Sequence, residues 1–319
     1  LLVIAVGSVS NDFGIDGVRT HCAFLDDRDE ADRFQHRLLQ SYMRAQTQAQ
    51  PLAPGSLNVA IVGAGATGVE LAAELHHVAR QLVAYGFDRI VPERDVKLVV
   101  IEAHERILSA LPARLSEAAA QSLRALNVEV LTGKRVMRAT AEGLHTADGL
   151  FIPAAIKVWA AGIKAPDFLR DLDGLETNRA NQLVVRTTLE TTRDSNVFAF
   201  GDCASCPRAD DTVPPTAQAA HQQASMLVRS LTRRLRGEPL PKYRYRDYGA
   251  LVSLSEYTTV GNLMGNLLGS IRVEGFTARV LYRSLYRLHQ RALFGTVRAG
   301  LLMFADWLTR PTRPRTKLH

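Results

Sequence analysis

The chain is poor in the features that mark several protein classes. It has only three cysteines in 319 residues, too few to frame a disulfide scaffold and in keeping with a reducing compartment. Cys203 and Cys206 form a CxxC, but Cys22 stands alone, so no second ligand pair completes a tetrahedral zinc site and no metal is expected. No segment reaches the roughly 18 consecutive apolar residues that a membrane-spanning helix needs, and Asp306 interrupts the best run. The opening LLVIAVGS lacks a basic leader and meets a glycine at once, so it does not read as a signal peptide. Position 1 is not methionine, and the apolar strand expected at Leu1–Ala5 needs sheet partners upstream, so the sequence reads as a piece of a longer one. Internal repeats and low-complexity segments are also lacking. A hydrophobic content of 46% excludes disorder, and the length suits two domains with buried cores.

What the sequence does carry is concentrated in NVAIVGAGATGVELAAEL, residues 58–75. An apolar β-run, Asn58–Val62, leads into a glycine-punctuated turn and then an amphipathic helix, the arrangement of a dinucleotide-binding βαβ unit. Gly63 permits the tight turn, Gly65 lets backbone N–H groups approach a pyrophosphate, and Gly68 lets the helix pack closely on the strand. The helix N-terminus then faces the phosphates. The next apolar strand, KLVVIEA, ends in Glu102, placed where the ribose hydroxyls of NADH would lie and where a carboxylate repels the 2′-phosphate of NADPH. This acid lies well beyond the usual spacing of roughly 20 residues, and a longer helix with a polar excursion at Tyr85–Asp95 accommodates the difference. Arg106 is the one nearby group suited to a phosphate, and a surface role suits it better.

A second strand end appears at NVFAFGDCA, residues 196–204, where Gly201 breaks a β-run and Asp202 sits at its carboxyl end. Gly7 ends the opening strand in the same manner and leaves room for a cofactor. Asp148-Gly149 suggests a hairpin turn, and Trp159–Gly162 marks a crossing between domains. One sheet interrupted by a complete nucleotide-binding unit and then resumed implies two cofactors. Residues 1–56 and 172–257 are expected to form one domain, residues 57–171 an inserted one, and residues 258–319 a C-terminal region.

That last region is strongly basic. From Ser270 onward there are ten Lys and Arg against two acids, a net charge of +8, while the whole chain carries +7. Arg279, Arg283, Arg287 and Arg291 recur every four residues, with Leu281, Leu285, Leu288 and Ala292 roughly opposite them on the helical wheel, and the segment Val297–Leu308 repeats the apolar spacing. Clustered arginines also attract phosphate backbones, but nucleic-acid arms have no need of an aligned apolar stripe. A basic amphipathic helix lying on a membrane surface fits better, and no nucleic-acid partner is expected.

Taken together these segments resemble the membrane-associated type II NADH:quinone oxidoreductases, within the flavoproteins that have two dinucleotide-binding domains. The resemblance spans nearly the whole chain: LVIAVGSVSNDFGIDGV at residues 2–18, GAGATGVELAAEL, WAAGI, FGDCA, PPTAQAAHQQAS at residues 214–225, and LVSLSEYTTVGNLMG at residues 251–265. It implies an α/β fold of two Rossmann-like domains, the NAD domain inserted in the FAD domain, followed by C-terminal amphipathic helices. It implies FAD held around Gly7, Gly162, Gly201 and Asp202, with Ala217 and Gln218 near the isoalloxazine, and NADH held by Gly63, Gly65, Gly68 and Glu102. The family's N-terminal FAD fingerprint is missing from this stretch. The implied enzyme is a non-pumping, peripheral protein on the cytoplasmic face of the cell membrane that passes electrons to membrane quinone, and a homodimer is allowed.

Gln218 and Gln222 are four apart, so on a helix they share a face and can hydrogen-bond quinone carbonyls; the plain reading is two polar surface residues. Glu70, just inside the helix of the NADH turn, is a candidate for nicotinamide positioning or proton relay; its plain reading is a carboxylate favoured near a helix N-terminus. His221 reads as a helix surface residue. The CxxC keeps open an alternative, a soluble pyridine-nucleotide disulfide or ferredoxin-type reductase, and a non-enzymatic NADH sensor is a third reading.

Overall fold

The computed structural model describes residues 1–48, 52, 55–209, 211–254, 258–263, 271–274, 291, 294–305 and 308–309. The chain divides into two compact units, Leu1–Asn11 with Gly162–Asp247 and Asp12–Ala161 with Tyr248–His319.

In the second unit four parallel strands lie in the order Val128–Leu131, Leu98–Ile101, Val59–Val62, Ile156–Trp159. The two inner strands, LVVI and VAIV, are buried along their whole length, as parallel strands covered on both faces require. Val62 lies opposite both Ile101 and Trp159, so three strands end in a row on the side where open α/β sheets take ligands. The helix Ala66–Ala84 buries Val69, Ala72, Ala73, Leu75, Ala79 and Leu82, an apolar stripe at helical spacing. A three-stranded antiparallel sheet, Val136–Ala139, Gly143–Thr146 and Phe151–Pro153, completes this part. Its second turn falls at Asp148-Gly149, with Gly149 at a φ of 83°.

The contacts draw the domain boundaries differently from the expected 57–171 insert. The helix Arg28–Thr47 begins at Asp27, whose carboxylate accepts the Glu30 N–H at 2.8 Å. It buries Phe34, Leu38, Tyr42 and Ala45 in the same core as Val59 and Ile61. Val252 and Leu254, from the strand Gly249–Leu254, join that core too. Burying an aromatic or branched side chain stabilises by about 1.5–3 kcal/mol, so each stripe is assigned by the core it enters and not by its place in the chain. Residues 12–48 and the strand Gly249–Leu254 therefore belong with the glycine-turn sheet, while Gly162–Asp171 belongs with the other unit.

In the first unit Leu2–Ile4 pairs in parallel with Val197–Ala199, Leu2 opposite Val197. Val9–Ser10 pairs antiparallel with Ile163–Lys164, and Leu183–Val184 in parallel with Ala204–Ser205. The helix Ala217–Leu235 buries Ala219, Met226 and Leu227 among Ile4, Phe198, Ala199, Cys203 and Cys206. The unit is mixed α/β, built among the described residues from short strand pairs.

Most of the expected basic helix, Arg279 to Leu288 and Ala292, lies outside the described residues. Residues 294–305 are helical, and Phe294, Val297, Leu301, Phe304 and Leu308 are exposed, Val297 at 77%. Among the described residues no helix is long and apolar enough to cross a membrane.

Candidate functional site

The glycine turn of the second unit has geometry that only glycine permits at two of its three positions. Gly63 adopts a φ of 99°, and a Cβ there would stand 2.5 Å from the Ala160 carbonyl oxygen. A Cβ on Gly68 would lie 1.9 Å from the Gly63 carbonyl oxygen, so the helix rests directly on the turn. Gly65, the helix N-cap, faces open space, with nothing within 4 Å of a would-be Cβ. Gly65, Ala66 and Thr67 are exposed, which leaves the first N–H groups of a 19-residue helix on an accessible surface.

Glu102 stands beside this turn. One carboxylate oxygen accepts the Ala64 N–H at 2.8 Å, and the other accepts the His104 N–H at 2.9 Å and lies 2.7 Å from His104 Nδ1. Burial alone would raise its pKa, but the backbone N–H groups of His104 and Ala64, together with the His104 ring, outweigh burial and hold the carboxyl below its ordinary value. The group is an anion at neutral pH, fixed to the turn itself. The guanidinium of Arg106 donates to the Leu111 and Ser109 carbonyls at 2.6 Å each, so two of its five N–H groups brace the loop that follows the strand. Glu70 is half-buried and lies past the first helical turn, beyond the strongest reach of the helix dipole.

In the first unit the paired strands end side by side at Ile4 and Ala199. Just beyond them Gly7 and Gly201 adopt φ of 69° and 75°, the left-handed region that favours glycine. A Cβ on Gly7 would meet nothing within 4 Å. Asp202 follows, its carboxylate accepting the Ser8 hydroxyl at 2.9 Å and its own carbonyl accepting the Gln182 amide at 2.8 Å. Gln223, 2% exposed, accepts the Gly201 N–H at 2.8 Å. An acid held at the mouth of a parallel strand pair, flanked by two left-handed glycines of which Gly7 faces open space, suits a dinucleotide cofactor, the carboxylate its hydroxyls and the glycine backbone its phosphates, so the residues present fit the FAD that the sequence implies. Gly162 also has a positive φ, 74°, is exposed, and accepts the Asn11 N–H at 3.2 Å.

The AQxAxQ segment is helical, with Thr216 as N-cap accepting the Ala219 N–H. Ala217 is exposed, and Gln218 and Gln222 are half-buried and both engaged by residues 245–247. Gln218 Nε2 donates to the Tyr245 hydroxyl at 2.9 Å and to Asp247 at 3.3 Å. Gln222 donates to the Arg246 carbonyl at 2.8 Å and accepts the Arg246 N–H at 3.0 Å, so its carboxamide satisfies both backbone groups of one residue. The glutamines thus lie on one face as the spacing predicts, and the strap that holds them is visible only in the fold. His221 is exposed on the same helix.

Cys203 and Cys206 are free and fully buried. Burial raises both thiols, Cys206 to about 11, and their hydrogen bonds run to carbonyls, Cys203 Sγ to Phe200 at 3.3 Å and Cys206 Sγ to Arg186 at 3.9 Å. Thiols kept neutral and out of reach are poor nucleophiles, which weighs against dithiol chemistry at this pair. Among the described residues no group of three or more His, Cys, Asp or Glu is placed to hold a metal.

Ser8, His104, Gln182, Gln223, Tyr245 and Asp247 were not legible as site residues in the sequence. Only Gln223 carried a local signal, being a third amide on the AQxAxQ helix.

A parallel sheet with its glycine turn, a tethered acid and a second cofactor-shaped strand end define an oxidoreductase of the pyridine nucleotide-disulphide class, and the model of the pyridine nucleotide-disulphide oxidoreductase family matches residues 1–224. A type II NADH:quinone oxidoreductase of Haemophilus influenzae is 42% identical over 100% of this chain and 74% of its own length. One of Mycobacterium tuberculosis is 28% identical over 89% of this chain and 62% of its own. NDH2 from Plasmodium falciparum in complex with NADH superposes with a TM-score of 0.82 at 19% identity, covering 99% of this chain and 79% of that one. The chain belongs to the type II NADH:quinone oxidoreductases.

Proposed function

We propose that this chain oxidises NADH and reduces a membrane quinone through bound FAD, and that the two half-reactions use separate residues. The observation that carries the reading is the tethering of Glu102 to the Ala64 N–H at 2.8 Å, which sets an anion beside an open helix N-terminus where an NADH ribose and pyrophosphate are recognised. Gly63, Gly65, Gly68 and Glu102 hold NADH. Gly7, Gly162, Gly201, Asp202, Ala217 and Gln218 border the FAD, which when bound accepts hydride from NADH and returns electron pairs to quinone. Glu70 sits on the helix of the NADH turn and positions the nicotinamide. The protein's task is orientation and exclusion of water, since little acid–base apparatus is needed for hydride transfer.

Gln218 and Gln222 serve the quinone side. Substituting Gln222 by alanine should leave flavin reduction by NADH unchanged and slow reoxidation by quinone by roughly 5- to 150-fold, the effect of losing about 1–3 kcal/mol of polar interaction. Because Gln218 also borders the flavin, Gln218→Ala should slow reoxidation more than reduction. Stopped-flow absorbance of the flavin, first with NADH alone and then with a soluble quinone, reads both steps. Slowed reduction with normal reoxidation overturns the assignment.

The basic tail lies on the membrane surface, at the cytoplasmic face in this reading. The exposed stripe Val297, Leu301, Phe304 and Leu308 supports it, since these residues share one helical face and suit burial at the acyl boundary. Truncation before Ser270 should release the protein from anionic liposomes in a co-sedimentation assay, and the full chain should resist added salt better than a purely electrostatic arm would. Equal co-sedimentation of the truncated and full chains counts against it. The subunits pair as a homodimer in this reading, and the sedimentation behaviour of the purified protein tests that.

A further inference from the structure

We infer that Gln223 and Gln182 are positioning residues for the Asp202 turn and thereby set how tightly the chain holds FAD. The inference rests on the reading of Asp202 as an FAD-binding residue and goes beyond it. The turn from Gly201 to Asp202 is held by two carboxamides of opposite polarity. Gln223 uses its oxygen to accept the Gly201 N–H at 2.8 Å, and Gln182 uses its amide to donate to the Asp202 carbonyl at 2.8 Å. Each backbone group fixes the sense of the amide facing it, because an N–H can only donate and a carbonyl can only accept. Ser8 adds a hydroxyl to the Asp202 carboxylate at 2.9 Å.

The residues that hold the turn come from separate parts of the unit. Gln223 lies on the helix Ala217–Leu235, Gln182 on the loop before Leu183–Val184, and Ser8 just beyond the opening strand. Gln182 is itself oriented, accepting the Asn178 amide at 2.9 Å. Gln223 is 2% exposed, on a helix whose Ala219, Met226 and Leu227 enter the apolar core of the unit. A buried carboxamide costs desolvation unless it is hydrogen-bonded, so its presence there is best accounted for by the bond it makes. Gly201 sits at a φ of 75°, in the left-handed region that favours glycine, and its N–H is tied to the buried Gln223, so the residue before Asp202 is held in place. Gln223 also shares its helix with Gln218 and Gln222, so one element anchors both the acid at the strand end and the strap at residues 245–247.

The test uses the full-length holoprotein and three variants. Gln223→Met keeps the shape of the side chain and removes its acceptor, Gln223→Glu keeps the acceptor, and Gln182→Met removes the donor to Asp202 from a half-buried site without touching the core. FAD affinity, measured by recovery of flavin fluorescence on dilution, should fall roughly 5- to 150-fold in Gln223→Met and in Gln182→Met, with a shift in the bound flavin's visible absorbance bands. Gln223→Glu should restore most of the affinity and the wild-type spectrum. Wild-type FAD affinity in Gln182→Met, or equal losses in Gln223→Glu and Gln223→Met, overturns the inference; if Gln223→Met does not fold, Gln182→Met and Gln223→Glu still decide it. Asp202→Ala, measured alongside, separates the two layers: unchanged FAD binding in that variant defeats the reading of Asp202 itself, whereas weakened binding there with unaffected glutamine variants defeats only the positioning roles.

Discussion

Gly68→Ala should abolish useful NADH binding while Gly65→Ala leaves the fold intact, a contrast set by where each new methyl group goes. At Gly68 the Cβ would fall 1.9 Å from the Gly63 carbonyl oxygen and 3.1 Å from its carbon. Both are backbone atoms, so the helix Ala66–Ala84 has to lift off the turn. Overpacking of this kind costs about 1–3 kcal/mol of stability. The larger effect is geometric: displacing aligned N–H groups by about 1 Å can cost on the order of 100-fold. At Gly65 the Cβ meets nothing within 4 Å, so thermal stability should stay close to wild type, and any loss of affinity reports the approach of the pyrophosphate. Titration calorimetry with NADH and thermal melting of both variants check this. Tight NADH binding by Gly68→Ala would sink the assignment of this turn.

Replacing Glu102 with glutamine should narrow the preference for NADH over NADPH, which in the wild-type enzyme is expected to be large. The carboxylate is 12% exposed and engaged by two backbone N–H groups and the His104 ring, so a 2′-phosphate brought to the same strand end meets a fixed negative charge with little water between them. Glutamine removes the charge and keeps an acceptor for Ala64, so the turn survives. Steady-state kcat/KM for both nucleotides, in wild type and Glu102→Gln, reads the change; comparable wild-type rates with NADH and NADPH would defeat the role. The same substitution has a pH signature in stability. The folded-state carboxyl lies below its ordinary value, so its contribution is complete above the ordinary carboxylate range and is lost as pH falls through the folded-state value. Glu102→Gln should therefore destabilise at neutral pH and approach wild-type stability in acid, as followed by denaturant unfolding at several pH values.

The parts of this protein that its sequence determined are those whose physics is local. A continuous apolar run followed by three spaced glycines dictates a buried parallel strand and a tight turn, because only glycine tolerates a φ of 99° at Gly63 or a helix resting on the carbonyl behind Gly68. The acid at the end of the next strand follows from the same logic, and parallel pairing puts it beside the turn despite its long sequence separation. The helical face shared by Gln218 and Gln222 was likewise a matter of spacing. Tertiary structure alone decided what those side chains touch. Nothing local shows that residues 245–247 return to clasp the AQxAxQ helix, that His104 and Ala64 share the Glu102 carboxylate, or that Gln223 reaches the Gly201 N–H. It also decided the domain boundaries, since the stripe Phe34, Leu38 and Tyr42 and the pair Val252 and Leu254 enter the core of the glycine-turn sheet. The reason is common to all of these. Periodicity tells a helix or strand which face to bury, while the partner that face meets is chosen by the free energy of the assembled core, to which residues far apart in sequence contribute equally.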